Sequence, residues 1–427
     1  MTRTRSSSEI RDASRREIVR ALVVGGTATR NDLARSTGLS AATVSNLVTE
    51  LREAGLIADA GTDNAGTGRP TTVLRIDGEG GSFLGIDVAE TYIRAVVFDA
   101  ALTEIGAADV DVDEAWSSVD RVAEALVKAV DQALDRGGRH HDDILGVGLG
   151  LPGIVSRDPR GAASPQGWAA QVRELEHRVR PRLPSPVVTA NPLQAVGHSE
   201  IWFGTARGRS SAVVVNLGTG VGAGIIVEGR VLRGATSTAG EWGHTVLELD
   251  GRMCRCGRRG CVEAYVGVPG IRHTLRDVEA AHPLLRLHQR DFIRGLRNAV
   301  DDPAVSETLA HTARYLGIAL SDIVAVLNPE VLTLTGWTAW ALGDALLPGA
   351  RAALAERAPE LTAARLDLGV SPVRINSVAT GMAVLAFENH LDSQALARRS
   401  RPRADPIIPP DTLTPPALPQ TPQPIAG

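Results

Sequence analysis

Gly243-His244, nine further residues, then Cys254-Arg255-Cys256-Gly257-Arg258-Arg259-Gly260-Cys261-Val262-Glu263 is the stretch that decides how this chain is read. All three cysteines of the 427 residues fall within eight positions, close to a histidine. Three thiolates and one imidazole fill a tetrahedral zinc site with no position left open. His244, Cys254, Cys256 and Cys261 are therefore predicted to hold a structural zinc ion rather than a catalytic one. Gly257 and Gly260 let the backbone turn tightly around it. The same count excludes a disulfide framework.

Working outward, strands alternate with helices, which is the pattern of an α/β architecture. Leu84 to Val88 reads as a buried strand, Ile93 to Phe98 as another, and Ile144 to Gly150 as a Gly-punctuated third. Val187 to Thr189 and Ala212 to Leu217 continue the series. Val119 to Leu134 has the apolar spacing of an amphipathic helix, and about Thr380 to Leu391 reads as the last one. Two weakly similar Gly-rich strand pairs open the two halves of this region. The segment from 393 to 427 is Pro-rich and is expected to be disordered.

The first 58 residues have a different texture. They carry nine Arg against six acids, so a head of net charge +3 precedes a remainder near −7 within a total of −4. Ile18, Leu22 and Val23 make one apolar helical face. Asn31 is placed to cap a second short helix that stops at Gly38, and Ser40 to cap a third. In that third helix Val44, Leu47, Val48 and Leu51 fall at i, i+3, i+4 and i+7, and Gly55 ends it. Two short helices joined by a Gly-containing turn form a helix-turn-helix. Ser40, Thr43, Ser45 and Asn46 lie off the apolar face and suit contact with base edges in a major groove. Leu56 to Ala58 and Thr72 to Ile76 read as strands of a wing whose tip ends in Gly68-Arg69-Pro70. Arg69 is thus a candidate for a minor groove.

Composition sets outer bounds. Hydrophobic residues make up 43% and charged residues 22%, ordinary values for a soluble protein with large cores. No uninterrupted apolar run approaches the roughly 20 residues that span a bilayer. Met1 to Asp12 is Ser/Arg-rich with no apolar core of a secretory signal, so a cytoplasmic protein with no membrane partner is expected. Lys128 is the only lysine, and the Arg excess runs along the whole chain.

The metal motif, together with Leu217-Gly218-Thr219-Gly220-Val221-Gly222-Ala223-Gly224, Ala239-Gly240-Glu241-Trp242-Gly243-His244, Leu151-Pro152-Gly153 and Gly167-Trp168, resembles the ROK family of repressors and sugar kinases. The likeness covers roughly residues 82–392, and the head resembles the winged helix-turn-helix of bacterial regulators. It implies an α/β fold of the actin-like, sugar-kinase type, with two lobes flanking a cleft, in a homodimer or homotetramer. The expected division is a winged head over 1–78 and a body over 79–392. Its first lobe would be about 79–190 with the helix 376–392, and its second about 191–375.

The resemblance also implies site roles. Gly153, Asn191, Glu241, His244 and Glu263 would surround a bound sugar, where carboxylates and an amide can bridge vicinal hydroxyls. His244 would offer one ring nitrogen to zinc and its other edge to the ligand. In the kinases the residue after this asparagine is the aspartate that accepts the sugar's proton. Here it is Pro192, which has no carboxylate. The kinases' first phosphate loop, Asp-x-Gly-Gly-Thr, reads Asp87-Val88-Ala89-Glu90-Thr91, so both glycines are missing and Glu90 adds negative charge. Gly336-Trp337 replaces a Gly-Gly pair near the adenosine. No catalytic residue and no ATP are therefore expected. The chain reads as a regulator, a repressor of carbohydrate-related genes, that binds a double-stranded DNA operator and senses a sugar or sugar derivative. The alternative is a sugar kinase with an accessory DNA-binding head.

Overall fold

The computed structural model describes residues 7–63, 71–112, 118–153, 168–184, 186–373 and 376–399. The head is built from α1 (Ser7–Gly25), β1 (Thr27–Thr29), α2 (Arg30–Thr37), α3 (Ala41–Glu53), β2 (Ile57–Asp63) and β3 (Thr71–Ile76). Val44, Leu47, Val48 and Leu51 of α3 are buried with Leu33 of α2 and Ile18, Val19 and Leu22 of α1, while Val23 is only half-buried. Gly38 and Gly55, at φ 70° and 73°, make the left-handed turns after α2 and α3. Thr29, not Asn31, caps α2. Its hydroxyl accepts from the Asp32 N–H at 3.2 Å, and the Asp32 carboxylate accepts from the Thr29 N–H at 2.9 Å. That reciprocal pair satisfies two orphan donors, which an Asn31 cap with Ala34 three residues on could not do. β1 adds a third strand, in the order β1-β3-β2, all antiparallel. The wing tip with Arg69 lies outside the described residues.

Among the described residues the body forms two five-stranded sheets of one design. The first comprises β4 (Ser82–Val88), β5 (Tyr92–Asp99), β6 (Glu104–Asp111), β7 (Ile144–Gly150) and β8 (Val187–Ala190), with α4 (Val119–Gly137) and α5 (Trp168–Val179) between strands. Its order is β6-β5-β4-β7-β8, an antiparallel meander followed by two parallel additions. After α6 (Pro192–Phe203) comes the second sheet: β9 (Ser211–Leu217), β10 (Val221–Val227), β11 (Arg230–Val231), β12 (Val331–Thr335) and β13 (Asp367–Val370). Its order, β11-β10-β9-β12-β13, repeats the same pattern of directions. Between β11 and β12 lie α7 (Glu263–Val266), α8 (Val268–Val278), α9 (Gln289–Asn298) and α10 (Pro303–Leu327). Then α11 (Trp337–Ala355) and α12 (Glu360–Arg365) precede β13, and α13 (Ser377–Arg399) follows it.

Period-2 alternation assigns each strand face. Leu84, Ile86, Val147 and Leu149 point to α4 and α5, whereas Phe83 packs with the α13 core. On that second face the strands carry glycines, and α13 comes down almost to backbone contact. A Cβ on Gly85 would lie 1.9 Å from the Ala379 carbonyl oxygen, and one on Gly148 2.0 Å from that of Met382. On its far side α13 meets α6 just as closely, since a Cβ on Gly381 would stand 1.8 Å from the Ala195 oxygen. α6 in turn packs on β9 and β10 of the second sheet.

Two further points go beyond the sequence reading. α13 continues to Arg399, into the segment assigned to the tail, and residues 400–427 lie outside the described ones. α10 is long and apolar enough to cross a membrane by length and composition, although Glu307, Arg314 and Asp322 interrupt its apolar residues. Its Leu309, Leu316, Leu320 and Val324 are buried, and Glu307, Arg314 and Asp322 share the opposite, exposed side, so it is a core helix.

Gly148→Ala is expected to cost about 2–4 kcal/mol in urea unfolding, because the α13 backbone must retreat. Gly369→Ala, where an added Cβ meets no atom within 4 Å, is expected to stay within about 1 kcal/mol. Equal effects would contradict the close approach.

Candidate functional site

The ligand atoms of His244, Cys254, Cys256 and Cys261 all lie within 4.8 Å of one another. Cys256 Sγ and Cys261 Sγ are 3.7 Å apart, and Cys254 Sγ is 3.8 Å from His244 Nδ1. A tetrahedron with arms of about 2.3 Å has edges of about 3.8 Å, so this donor set fits a four-coordinate ion of thiolate and imidazole preference. The loop gets its shape from short local bonds. Cys254 N–H donates to Arg258 O at 2.8 Å, Gly257 N–H to Cys254 O at 3.0 Å, and Val246 pairs with Cys261. Gly260 sits at φ 76°, and a Cβ there would strike the Glu248 carbonyl oxygen at 1.8 Å, so no other residue fits. Tyr265 braces the loop from below. Its hydroxyl donates to Glu248 at 2.6 Å and accepts from the Arg252 N–H at 2.8 Å. Burial pushes the Cys254 and Cys261 thiols above their ordinary values. A bound cation would supply the compensation that makes thiolates favourable there.

His244 turns its other nitrogen toward Glu241, with Nε2 3.9 Å from Glu241 Oε2, too long for a hydrogen bond. Glu241 accepts from Asn191 Nδ2 at 3.3 Å, and that same amide nitrogen donates to Gly153 O at 3.0 Å. Asn191 Oδ1 caps α6 by accepting from the Leu193 N–H at 2.7 Å. Burial raises the Glu241 carboxyl above its usual range, opposed by His244 and Asn191. Gly153, Asn191 and Glu241 thus form one hydrogen-bonded cluster, and His244 stands beside it. Pro192 occupies the first position of α6, where its missing N–H costs nothing. Glu200, the nearest later acid, is fully buried, and its carboxylate is engaged by Thr205 and Ser371.

Glu263 is arranged differently from its fellows. It is buried, accepts from the Val221 N–H at 3.0 Å, and takes Arg255 Nε at 2.7 Å. The other end of that guanidinium is bonded to Glu90, on the β4–β5 turn of the first sheet. A Cβ on Gly220 would lie 2.6 Å from Arg255 Nη2, so the guanidinium presses on the second glycine loop. A Cβ on Gly218 would stand 3.0 Å from Trp337 Nε1. The space between the two loops is therefore bridged by an ion pair whose partners are 165 residues apart in sequence. Arg255 lies inside the cysteine motif, and nothing in its local pattern announced this role.

In the head, the Ser40 hydroxyl accepts from the Thr43 N–H at 3.1 Å and lies 2.8 Å from Thr43 Oγ1. Ser40 caps α3 and is exposed, Thr43 beside it is half-buried, and Ser45 and Asn46 stand exposed on the same helix.

Asp87, at the end of β4, is buried beneath the Tyr92 hydroxyl, which donates to it at 2.9 Å. Burial raises its carboxyl from 3.8 to about 6, although Tyr92, Arg94 and Arg290 oppose the shift and Asp109 adds to it. A raised carboxyl pKa means the folded state holds its proton longer than the unfolded state. Stability therefore falls as pH rises from about 4 to about 6 and stays lowered above that. Asp87→Asn is expected to gain about 1–3 kcal/mol relative to the parent between pH 4 and pH 7. A stability difference independent of pH would contradict this.

Residues 83–388 match the ROK family, and residues 11–58 match a winged helix-turn-helix DNA-binding family. The xylose repressor of Bacillus subtilis is 23% identical over 383 residues, covering 90% of this chain and 97% of the relative. The glucokinase of Halalkalibacterium halodurans is 28% identical over 276 residues, but those cover only 62% of this chain and 82% of the relative. Among solved structures, a ROK family transcriptional regulator homologous to the Escherichia coli Mlc protein superposes with a TM-score of 0.70 at 22% identity. It covers 91% of this chain and 98% of its own. The repressor and regulator likenesses span about nine-tenths of this chain, the kinase likeness under two thirds. With more than half its length matched, the chain belongs to the ROK family and joins that body to a winged helix-turn-helix head.

Proposed function

We propose that this protein is a DNA-binding repressor of carbohydrate-related genes whose ROK body senses a sugar without phosphorylating it. The observation that carries this reading is the contrast within the cleft. Asn191, Glu241 and Gly153 form one hydrogen-bonded cluster, with His244 beside it, suited to hydroxyl groups. Beside it, Arg255 and Glu90 bridge the loops that would take phosphates, and Pro192 replaces the base. The xylose repressor and Mlc relatives support the regulatory half. Glu263 holds Arg255 across the glycine loops and fixes Val221, so its part is to shape these loops. Zinc is the ion of the His244, Cys254, Cys256 and Cys261 site, where it stiffens the loop that presents His244. Two copies in the cytoplasm would place two α3 helices about 34–36 Å apart on an operator, with Ser45, Asn46 and Arg69 approaching the DNA.

The glucokinase relatives and the intact Gly218–Gly224 loop favour the kinase reading, and one experiment separates the two. Calorimetry with D-xylose and D-glucose is expected to show binding that Glu241→Gln weakens about tenfold, while a coupled ADP-release assay with ATP stays at background. Turnover above background would overturn the assignment of Pro192 and the Arg255–Glu90 bridge. Absence of binding to either sugar would contradict Asn191, Glu241 and His244 as their receptor. Elemental analysis is expected to give one zinc per chain, and Cys256→Ser to retain less than about a tenth of it with a lowered melting temperature. Full zinc content in that variant would contradict the ligand set.

A further inference from the structure

We propose that α1 is the element that couples the cleft to the DNA-reading head, positioned by the Arg16–Asp392 ion pair and the neighbouring Glu388–His198–Trp202 cluster. This rests on the regulatory reading above and names its route.

α13 is seated on β4 and β7 of the first sheet, α6 on β9 and β10 of the second, and α1 touches both helices. Their seam is thus where any rotation between the two sheets is felt, pivoting about the close Gly381–Ala195 contact. The cleft acts on this seam directly, because Asn191 caps the first turn of α6 while its amide reaches Glu241. Further along α6, His198 Nδ1 lies 3.4 Å from Glu388 Oε2 of α13, and Trp202 Nε1 donates to Glu388 Oε1 at 3.1 Å. One turn beyond Glu388, Asp392 takes Arg16 Nη1 at 3.1 and 3.2 Å.

The next link is made by a different side of α1. Arg15 is 6% exposed and bonds Glu50 of α3, which also accepts from Arg11 at 2.7 Å. Successive residues of a helix point about 100° apart, so Arg15 grips the recognition helix while Arg16 grips the body. The two grips differ in stiffness. Arg15–Glu50 is enclosed, whereas Arg16 and Asp392 are 34% and 45% exposed, and a pair that open to water is weak. It can therefore set the seat of α1 without locking it. The apolar contacts keep the head attached throughout, since Ile18 and Leu22 share one continuous core with Phe387 and Leu391.

The test uses the full-length chain and a duplex selected from random DNA by the parent protein. Its affinity is measured with and without D-xylose or D-glucose, whichever binds in calorimetry. Asp392→Asn and Arg16→Gln are expected to bind the sugar within about twofold of the parent and to melt at a similar temperature. Their ratio of duplex affinities with and without sugar is expected to fall about threefold below the parental value. The exchange Arg16→Asp with Asp392→Arg is expected to restore it, which a merely structural loss would not allow. Single variants that keep the parental ratio would overturn the coupling alone. A parent protein whose duplex affinity ignores the sugar would overturn the regulatory reading and this route with it.

Discussion

The backbone of α13 lies closer to the sheet beneath it than any side chain would permit, and much of the molecule depends on that approach. Gly85 and Gly148 clear the path on the strands, and Gly381 clears it for α6 on the opposite side. Glycine costs conformational entropy in a strand or helix, so its presence at these contacts marks packing that overrides local preference. The gain is a pair of helices between the two sheets, α13 on the first and α6 on the second, with Met382, Val384, Phe387 and Leu391 buried along α13. Trp202 and Phe83 meet Phe387 edge-on, at 5.8 and 5.0 Å between ring centres. The head adds Ile18, Val19 and Leu22 to the same core. It is a layer of the structure, not a bead on a string.

Under the proposed function, the site keeps the half of its family's chemistry that binds a sugar and gives up the half that takes phosphate. A phosphate site needs bare backbone N–H groups and positive charge. Here Arg255 supplies the charge, but Glu263 and Glu90 already neutralise it. Arg255 keeps part of its surface in water, and the two carboxylates of Glu263 and Glu90 take most of its donors. The same bridge joins the first sheet's β4–β5 turn to the second sheet's metal loop, so charge neutralisation and closure of the cleft are one interaction. Arg290 stacked over Tyr92 at 4.2 Å adds a second tie across the same gap. The metal cluster belongs to this economy of support. Without an ion, its buried thiols and tight glycine turns would leave the loop carrying His244, Arg255 and Glu263 poorly held.

What could be read from the sequence was local and periodic. The α3 face at Val44, Leu47, Val48 and Leu51 is buried as its spacing predicted, and Ile144 to Gly150 is a strand with those bounds. The four metal-binding candidates stand together because glycine turns keep near neighbours in sequence near in space. The failures were of two kinds. Thr29 and Asn31 are both good caps, and only the reach of Asp32 back to Thr29 decides between them. β1 is three residues long and too short to carry a pattern. Pairs such as Arg16–Asp392 and Glu90–Arg255 join residues 376 and 165 positions apart and leave no periodic trace. The fold brings them together, and the chemistry follows.

The central claim is that head and body are one cooperative structure joined through α13. Native-state hydrogen exchange tests it most directly, without any ligand or DNA. Slow amides of Ile18, Val19 and Leu22 in α1 should open with free energies within about 1 kcal/mol of those of Val384 and Phe387 in α13. A head that exchanges at far lower free energy, while α13 stays protected, would show an independent module and contradict the account.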